Sequence, residues 1–240
     1  MANFLALDTS TDACTVALLI DGCLAECHEV IPKQHSQRLF EMLADIVPNG
    51  QLREQGIDAV VYGSGPGSFT GLRIGASAVQ GICYANNLSA IAINTLEIQA
   101  WTALAEGLVS EGDIVVSTID AQIGELYWGL YRVEGEHIQM YESVHVGKPD
   151  DFQTAIANTD RFERIIAIGS GLNCLRQLST VFSKNFTAVY SELLPRASAM
   201  FKPALKQWKQ GKYQSADKVS PVYVRDEISW KKLSEQAKGT

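Results

Sequence analysis

Residues 3–30, NFLALDTSTDACTVALLIDGCLAECHEV, hold the reading that decides the fold. Asn3-Phe4-Leu5-Ala6-Leu7-Asp8 reads as a strand, and Thr9-Ser10-Thr11-Asp12 as a turn of small polar residues. Cys14–Ile20 gives a second strand. Asp21-Gly22 then signals a two-residue hairpin, because a type I′ turn needs positive φ at both central positions, and it leads into a third strand, Cys23–Val30. Pro32 ends that strand. From Gln34 to Val47 the periodicity is helical, with Pro48-Asn49-Gly50 as its stop. Ala59–Gly63 reads as a short buried strand, Thr70–Asn86 as a helix and Ser89–Asn94 as another strand. The first half of the chain is thus β-β-β-α-β-α-β.

The second half repeats that order. After a helix at Leu96–Leu108 come strands Ile114–Asp120, Glu125–Val133 and His137–Val146, joined by turns at Ala121–Gly124 and Glu134-Gly135-Glu136. A helix near Asp150–Asn158, a strand Arg164–Ile168, a helix from Leu172, a strand Thr187–Tyr190 and a helix Ala197–Gln210 follow. Asp8 and Asp120 close the first strand of each half, 112 residues apart, and Gly63-Ser64-Gly65 and Gly169-Ser170-Gly171 stand 106 apart. Similar offsets in the same order predict two related lobes, although Gly-Ser-Gly taken alone is also ordinary loop chemistry. A doubled unit of this kind is the arrangement of the actin, sugar kinase and Hsp70 (ASKHA) superfamily, an α/β fold in which nucleotide lies between the lobes. The expected division is 1–95 with 211–240 in one lobe and 96–210 in the other. Fold analogy of this sort does not fix function.

Composition narrows the classes. With 240 residues, 46% hydrophobic and 20% charged, the chain can bury a core, which excludes disorder and collagen. Its apolar runs fall short of the ~18 residues that span a bilayer. The start of the chain lacks the basic flank and cleavage site of a secretory signal, so no membrane association and a cytoplasmic location are expected. Cys14, Cys23, Cys27, Cys83 and Cys174 are odd in number and form no CxxC pair, the pattern of buried thiols. The net charge of −7 repels polyphosphate, and the basic stretch Arg225–Lys238 is diluted by Asp226, Glu227 and Glu235. Tight unaided binding to nucleic acid is not expected.

Two loops hold residues that suit chemistry. Val61–Gly75 carries glycines for a sharp strand-to-helix turn, and the helix after it offers free N–H groups. No Lys follows a GxxxxG, so it is not a Walker A loop. GxGxxG fails at Ser68 and no acid ends the next strand, so it is not a dinucleotide fingerprint. As a bare pattern it fits a structural turn and an anion site equally. Asp8, Thr9 and Ser10 offer a carboxylate and hydroxyls that suit phosphate or Mg²⁺, while a plain Asx turn uses the same residues without a ligand. The matching turn Asp120-Ala121-Gln122-Ile123-Gly124 has no hydroxyl close to Asp120. His28, His35, His137 and His145 form no i, i+4 pair, and neither HExxH nor a Gly-x-Ser-x-Gly elbow occurs. His35 reads as solvent-facing or as a partner contact, and the other three as surface residues. No metal site, cofactor or catalytic residue is expected.

The helices of the first half point elsewhere. In Gln34–Val47, Leu39, Met42, Leu43 and Ile46 make one stripe, which Phe40, Ala44 and Val47 widen to roughly 200°, against about 100° for a one-sided surface helix. Thr70–Asn86 mixes Gly71, Gly75, Ala78 and Gly81 with Leu72, Ile74, Val79 and Ile82. Two readings stand: an apolar surface that buries itself against another chain, or a helix pair sandwiched within its own lobe.

Phe4–Ser10, His35-Ser36-Gln37-Arg38-Leu39, Gly65-Pro66-Gly67-Ser68-Phe69-Thr70-Gly71-Leu72-Arg73-Ile74-Gly75 and Pro221-Val222-Tyr223-Val224-Arg225 together resemble the bacterial TsaB (YeaZ) family over essentially the whole chain. Ile119–Gln122 and Leu126-Tyr127-Trp128 look like its second-lobe hairpin, with Gln122 where Arg is commoner. The resemblance implies a non-catalytic subunit for N6-threonylcarbamoyladenosine (t6A) at position 37 of tRNAs that read ANN codons. It implies work with a catalytic paralogue, TsaD, and an ATPase, TsaE, after TsaC has made threonylcarbamoyl-adenylate. The tRNA would be met only through the complex. In such proteins the two first-lobe helices form a homodimer or the TsaD heterodimer, which places His35, Leu39, Phe40, Leu43, Leu72, Arg73, Ile74, Gly75, Ala78 and Ile82 at the contact. A large charged residue at Gly75 would then block it. Asp8, Thr9 and Ser10 would be the vestige of a phosphate loop. TsaD-like proteins hold metal partly through a His-x-x-x-His helix, and the aligned residues here are Thr95-Leu96-Glu97-Ile98-Gln99, neither end an imidazole. The competing reading is a stand-alone ATPase or kinase of the same fold that uses Asp8 and Thr9.

Overall fold

In a computed structural model of the chain, residues 2–47, 50, 52–157, 162–175 and 186–224 are described. The first sheet contains β1 (Phe4–Asp8), β2 (Ala13–Ile20), β3 (Cys23–Val30), β4 (Ala59–Gly65) and β5 (Ser89–Asn94) in the order β3-β2-β1-β4-β5. The second contains β6 (Ile114–Gln122), β7 (Glu125–Glu134), β8 (His137–Gly147), β9 (Ile165–Ile168) and β10 (Ala188–Tyr190) in the order β10-β9-β6-β7-β8. Written from the other edge, the second order is the first with each strand replaced by its counterpart. In both sheets the opening strand pairs antiparallel with the second and parallel with the fourth. The fold is therefore the two-lobed, actin-like α/β arrangement expected from the repeat.

Local chemistry explains the elements. Asp21 and Gly22 have φ of 49° and 83°, the left-handed pair that the β2–β3 hairpin demands. Helix α1 (His35–Ile46) precedes β4, and α2 (Phe69–Asn86) follows it, with the Ser68 hydroxyl accepting from the Gly71 N–H at 3.2 Å and Asn87 closing the helix at φ 50°. Helix α3 (Thr95–Ala105) is capped by Asn94, whose side-chain oxygen accepts from the Leu96 N–H at 2.9 Å. Helices α4 (Pro149–Ala157), α5 (Leu172–Leu175) and α6 (Phe201–Lys209) complete the described set. A 3₁₀ turn at Ala197–Met200 leads into α6, so the expected helix Ala197–Gln210 is two pieces. The expected stop at Pro48-Asn49, Asn158, the continuation of the helix from Leu172 past residue 175, and the tail from Arg225 lie outside the described residues.

Alternation along β1 splits the first core. Leu5 and Leu7 face Leu39 and Met42 of α1 and Val79 and Cys83 of α2, whereas Phe4 and Ala6 face Met200, Phe201 and Ala204. The segment 197–209, read from sequence as part of the second lobe, thus packs on the first sheet. Helix α3 is buried on nearly every side. Ile98 joins the first sheet's core, while Leu96, Ala100 and Trp101 join the second sheet's core, as a helix buried between two sheets requires. Phe152 and Ile156 of α4 cover the far face of the second sheet.

Candidate functional site

The Asp8–Ser10 turn is packed, not open. Asp8, Thr9 and Ser10 are each no more than 2% exposed. The Asp8 carboxylate accepts the Ser10 N–H at 3.0 Å and the Ser10 hydroxyl at 2.8 Å, and burial, only partly offset by these bonds, raises it from 3.8 to about 6. Four glycines spaced four apart close around the turn. A Cβ on Gly63 would strike the Asp8 carboxylate, one on Gly67 the Ser10 carbonyl and one on Gly71 the Thr9 carbonyl; on Gly75 it would lie 2.7 Å from Thr9 Oγ1. Thr9 Oγ1 in turn donates to the Gly71 carbonyl at 2.8 Å. The glycine-rich stretch therefore lets β1's turn dock on the start of α2.

This arrangement changes several of the expected contact residues. Leu39 is fully buried, Leu72 and Ala78 are buried, and Gly75 points at Thr9 inside the lobe. A bulky residue at Gly75 would hit its own chain before reaching any partner. His35, read as solvent-facing, is also buried, with Nε2 3.2 Å from the Ala13 carbonyl oxygen, because the start of α1 abuts the loop before β2. Phe40 at 58% exposure and Arg73 stand outside; Leu43, Ile74 and Ile82 are half-buried. The 200° stripe of α1 thus divides, with Leu39 and Met42 in the core and Phe40 and Ala44 outside.

The outward face forms a shallow apolar groove of about 520 Å³ between α1 and α2, lined by Ser36, Phe40, Phe69, Thr70, Arg73, Ile74, Ser77 and Ala78, so Ala78, although buried, still lies at the groove as expected. Arg73 lies over the Phe69 ring at 3.8 Å and donates through Nε to the Tyr223 hydroxyl at 3.2 Å. Beyond it along α2 come Gly81, where an added Cβ would meet nothing within 4 Å, and Tyr84, 84% exposed. Sequence reasoning named Gly81 among the small residues of this helix but missed Phe69, Ser77 and Tyr84 as members of the face. The helical spacing of Thr70, Ser77, Gly81 and Tyr84 was the available signal.

A cleft of about 1250 Å³ separates the lobes. Ser10, Thr11, Asp12, Lys33 and Ser68 line it from one side and Asp120, Gln122, Tyr127, Ser170 and Asn173 from the other. Among the described lining residues the fixed charges are the carboxylates Asp12 and Asp120 and the ammonium of Lys33, a set that does not favour a polyphosphate. Asp120 is half-exposed here, unlike its counterpart Asp8, and its carboxylate accepts the Gln122 N–H at 2.7 Å. The remaining expectations divide. Cys14 and Cys83 are buried thiols pushed up to about 12, but Cys23 is exposed and Cys27 half-buried, since β3 is an edge strand, and Cys174 of α5 is half-buried. His28, read as a surface residue, buries an Nδ1 that has no partner among the described residues. No helix among the described residues is long and apolar enough to cross a membrane.

Residues 28–222 match the family described as "TsaD: tRNA N6-adenosine threonylcarbamoyltransferase". The "tRNA threonylcarbamoyladenosine biosynthesis protein TsaB" of Haemophilus influenzae is 34% identical over 96% of this chain and 97% of its own length. That of Escherichia coli is 33% identical over 96% and 98%. The chain belongs to the TsaB family. The solved structure of YeaZ from Pseudomonas aeruginosa superposes with a TM-score of 0.77 at 32% identity, covering 93% of this chain and 100% of that one. The segment where TsaD-like proteins are expected to carry paired histidines is occupied by committed side chains in this TsaB-family chain. Gln99 is fully buried, with Oε1 accepting from the Ser117 hydroxyl at 2.9 Å and Nε2 donating to the Leu193 carbonyl at 3.1 Å. Glu97, between them, is raised by burial and accepts from Trp101 Nε1 at 3.2 Å. Thr95 is fully buried, and its hydroxyl has no partner among the described residues. Among the described residues no group of three His, Cys, Asp or Glu side chains is placed to hold a metal ion.

Proposed function

We propose that this chain serves tRNA threonylcarbamoyladenosine biosynthesis as a non-catalytic subunit in the cytoplasm, docking the groove between α1 and α2 onto a TsaD-type catalytic paralogue. The names of its relatives support the pathway. The observation that carries the docking is the outward apolar face, where Phe40, Phe69 and Tyr84 are 58%, 49% and 84% exposed on one side of a helix pair whose other side is core. The same face suits a homodimer in the absence of TsaD, since two copies can bury it mutually. TsaE joins the pair, and tRNA is engaged through the assembly rather than by this acidic chain alone. The Asp8 turn supports the non-catalytic reading over a stand-alone ATPase or kinase, because its carboxylate is committed to Ser10 and walled in by Gly63. Reconstitution tests the proposal. ATP hydrolysis and t6A formation are measured for the chain alone and then with TsaD, TsaE and tRNA. Product only in the mixture is expected; turnover by the chain alone would overturn the reading.

A further inference from the structure

Helix α6 carries a cationic face. Between Glu192 and Asp217 the sequence holds no carboxylate, yet it holds Arg196, Lys202, Lys206, Lys209 and Lys212, in a chain whose net charge is −7. Arg196 is bound to Glu26, but the four lysines are exposed. Lys202, Lys206 and Lys209 are spaced i, i+4 and i+7, so they share one side of α6, while Phe201, Ala204, Leu205 and Trp208 turn into the core of the first sheet. Gly211, at φ 69°, ends the helix, and the Lys212 N–H donates back to the Gln207 carbonyl at 2.9 Å. Tyr213 then lays its ring on Trp208, with centroids 4.8 Å apart, and keeps 48% of its surface in solvent. Internal needs do not account for the lysines. The Lys202–Glu136 pair at 3.2 Å is exposed on both sides and so worth little, and among the described residues Lys206, Lys209 and Lys212 form no ion pair. Lys206 acts on the half-buried Glu97 only through space. Lysines in the last turn suit the helix dipole, but Lys202 sits in the first turn, where a cation is disfavoured.

We propose that this face binds the phosphate backbone of RNA, with Tyr213 as a platform for an unpaired base, and is the part of the chain that touches tRNA in the assembly. Clustered ammonium groups gain by displacing the counterions of a polyanion, and an exposed ring held next to them adds stacking on a base, a pairing of chemistries that an acidic protein surface would not use. The rest of the chain is acidic, so these few contacts hold RNA weakly by themselves and add their strength once a partner tethers it. Helix α6 packs on the face of the first sheet opposite to α1 and α2, so covering the groove, by a catalytic partner or by a second copy, leaves the lysines open. The RNA contact stands on the face itself; naming the RNA as tRNA rests on the function proposed above.

Lysine acetylation read by mass tests the contact on the full chain, alone at low salt and mixed with TsaD and TsaE. Added tRNA should protect Lys202, Lys206, Lys209 and Lys212 well beyond Lys33 and Lys148, which are exposed on other segments. Uniform protection, or protection by vesicles of anionic phospholipid and not by tRNA, would overturn the proposal. A full chain bearing Lys206→Gln, Lys209→Gln and Lys212→Gln should weaken tRNA binding by the assembly about tenfold and lower the slope of log affinity against log salt by about 2–3, with TsaD affinity and thermal midpoint unchanged. An unchanged slope would overturn the phosphate contact. Tyr213→Ala should lose affinity about fivefold or more at the wild-type slope, and wild-type affinity would remove the stacking platform. If TsaD fails to bind the chain while tRNA still protects these lysines on the chain alone, it is the docking function that fails and the RNA contact that stands.

Discussion

Three glycines of α2, replaced one at a time by alanine, should give three different outcomes from one chemical change. At Gly81 an added Cβ meets nothing within 4 Å, so the helix simply gains the preference of Ala over Gly, about 0.5–1 kcal/mol of stabilisation. At Gly75 the methyl falls 2.7 Å from Thr9 Oγ1, which is pinned by its 2.8 Å bond to the Gly71 carbonyl. Relief requires turning Thr9 out of that buried bond, a loss of about 1–3 kcal/mol offset by about 1 from helix preference. A net loss of about 1 kcal/mol follows. At Gly71 the methyl meets the Thr9 carbonyl itself, with the carbonyl carbon at 3.1 Å, and no side-chain rotation can make room. The β1–β2 turn must move, which combines overpacking of about 1–3 kcal/mol with loss of the Thr9–Gly71 bond, for a net loss near 3 kcal/mol. At about 2–4 °C per kcal/mol for a chain of this size, thermal unfolding should rank Gly81→Ala a few degrees above wild type, Gly75→Ala a few below and Gly71→Ala about 6–12 °C below. If Gly71→Ala and Gly81→Ala melt alike, the docking of the Asp8–Ser10 turn on α2 is wrong.

Two more perturbations probe the same frame. Burial raises Asp8 from 3.8 to about 6, so the native state holds this proton more tightly than the unfolded chain; the stability it confers is complete below pH ~4 and fades as pH climbs through about 6, roughly 3 kcal/mol by neutrality. Asp8→Asn keeps an acceptor for the Ser10 amide without the charge. Its stability relative to wild type in urea should improve by about 2.5 kcal/mol between pH 4 and 7.5, and a gap independent of pH would count against the assignment. Glu26 binds Arg196 Nε and Nη2 at 3.1 and 2.9 Å and the Ser198 N–H at 3.0 Å, fastening segment 196–198 to β3. Glu26→Ala should lose about 2 kcal/mol by urea unfolding, with Glu26→Gln recovering part of it; equal stability of all three would remove the latch from the account.

Much of the fold was legible because its signals are local. Asp21-Gly22 marked its hairpin, and Asp8 and Asp120, with the doubled order of elements, marked two related lobes. What escaped depended on distant contacts. The glycines at 63, 67, 71 and 75 fitted a structural turn and an anion site equally, because the group they approach is a turn more than fifty residues earlier. Helical periodicity put Leu39 and Phe40 on one wide stripe, and only the position of the sheet separates core from surface. The lobe assignment of 197–209 failed to show in the sequence for a similar reason, since its apolar residues match either sheet until Phe4 and Phe201 are seen to stack with centroids 6.5 Å apart.

The central claim is that the outer face of α1 and α2 receives a catalytic partner. Because a side chain at position 81 starts in open space, Gly81→Arg alters that face and leaves the lobe intact. Calorimetric titration of TsaD with this variant should show affinity reduced about 30-fold or more, a loss near 2 kcal/mol, while its thermal midpoint stays within a few degrees of wild type. Wild-type affinity in a folded Gly81→Arg chain would contradict the claim.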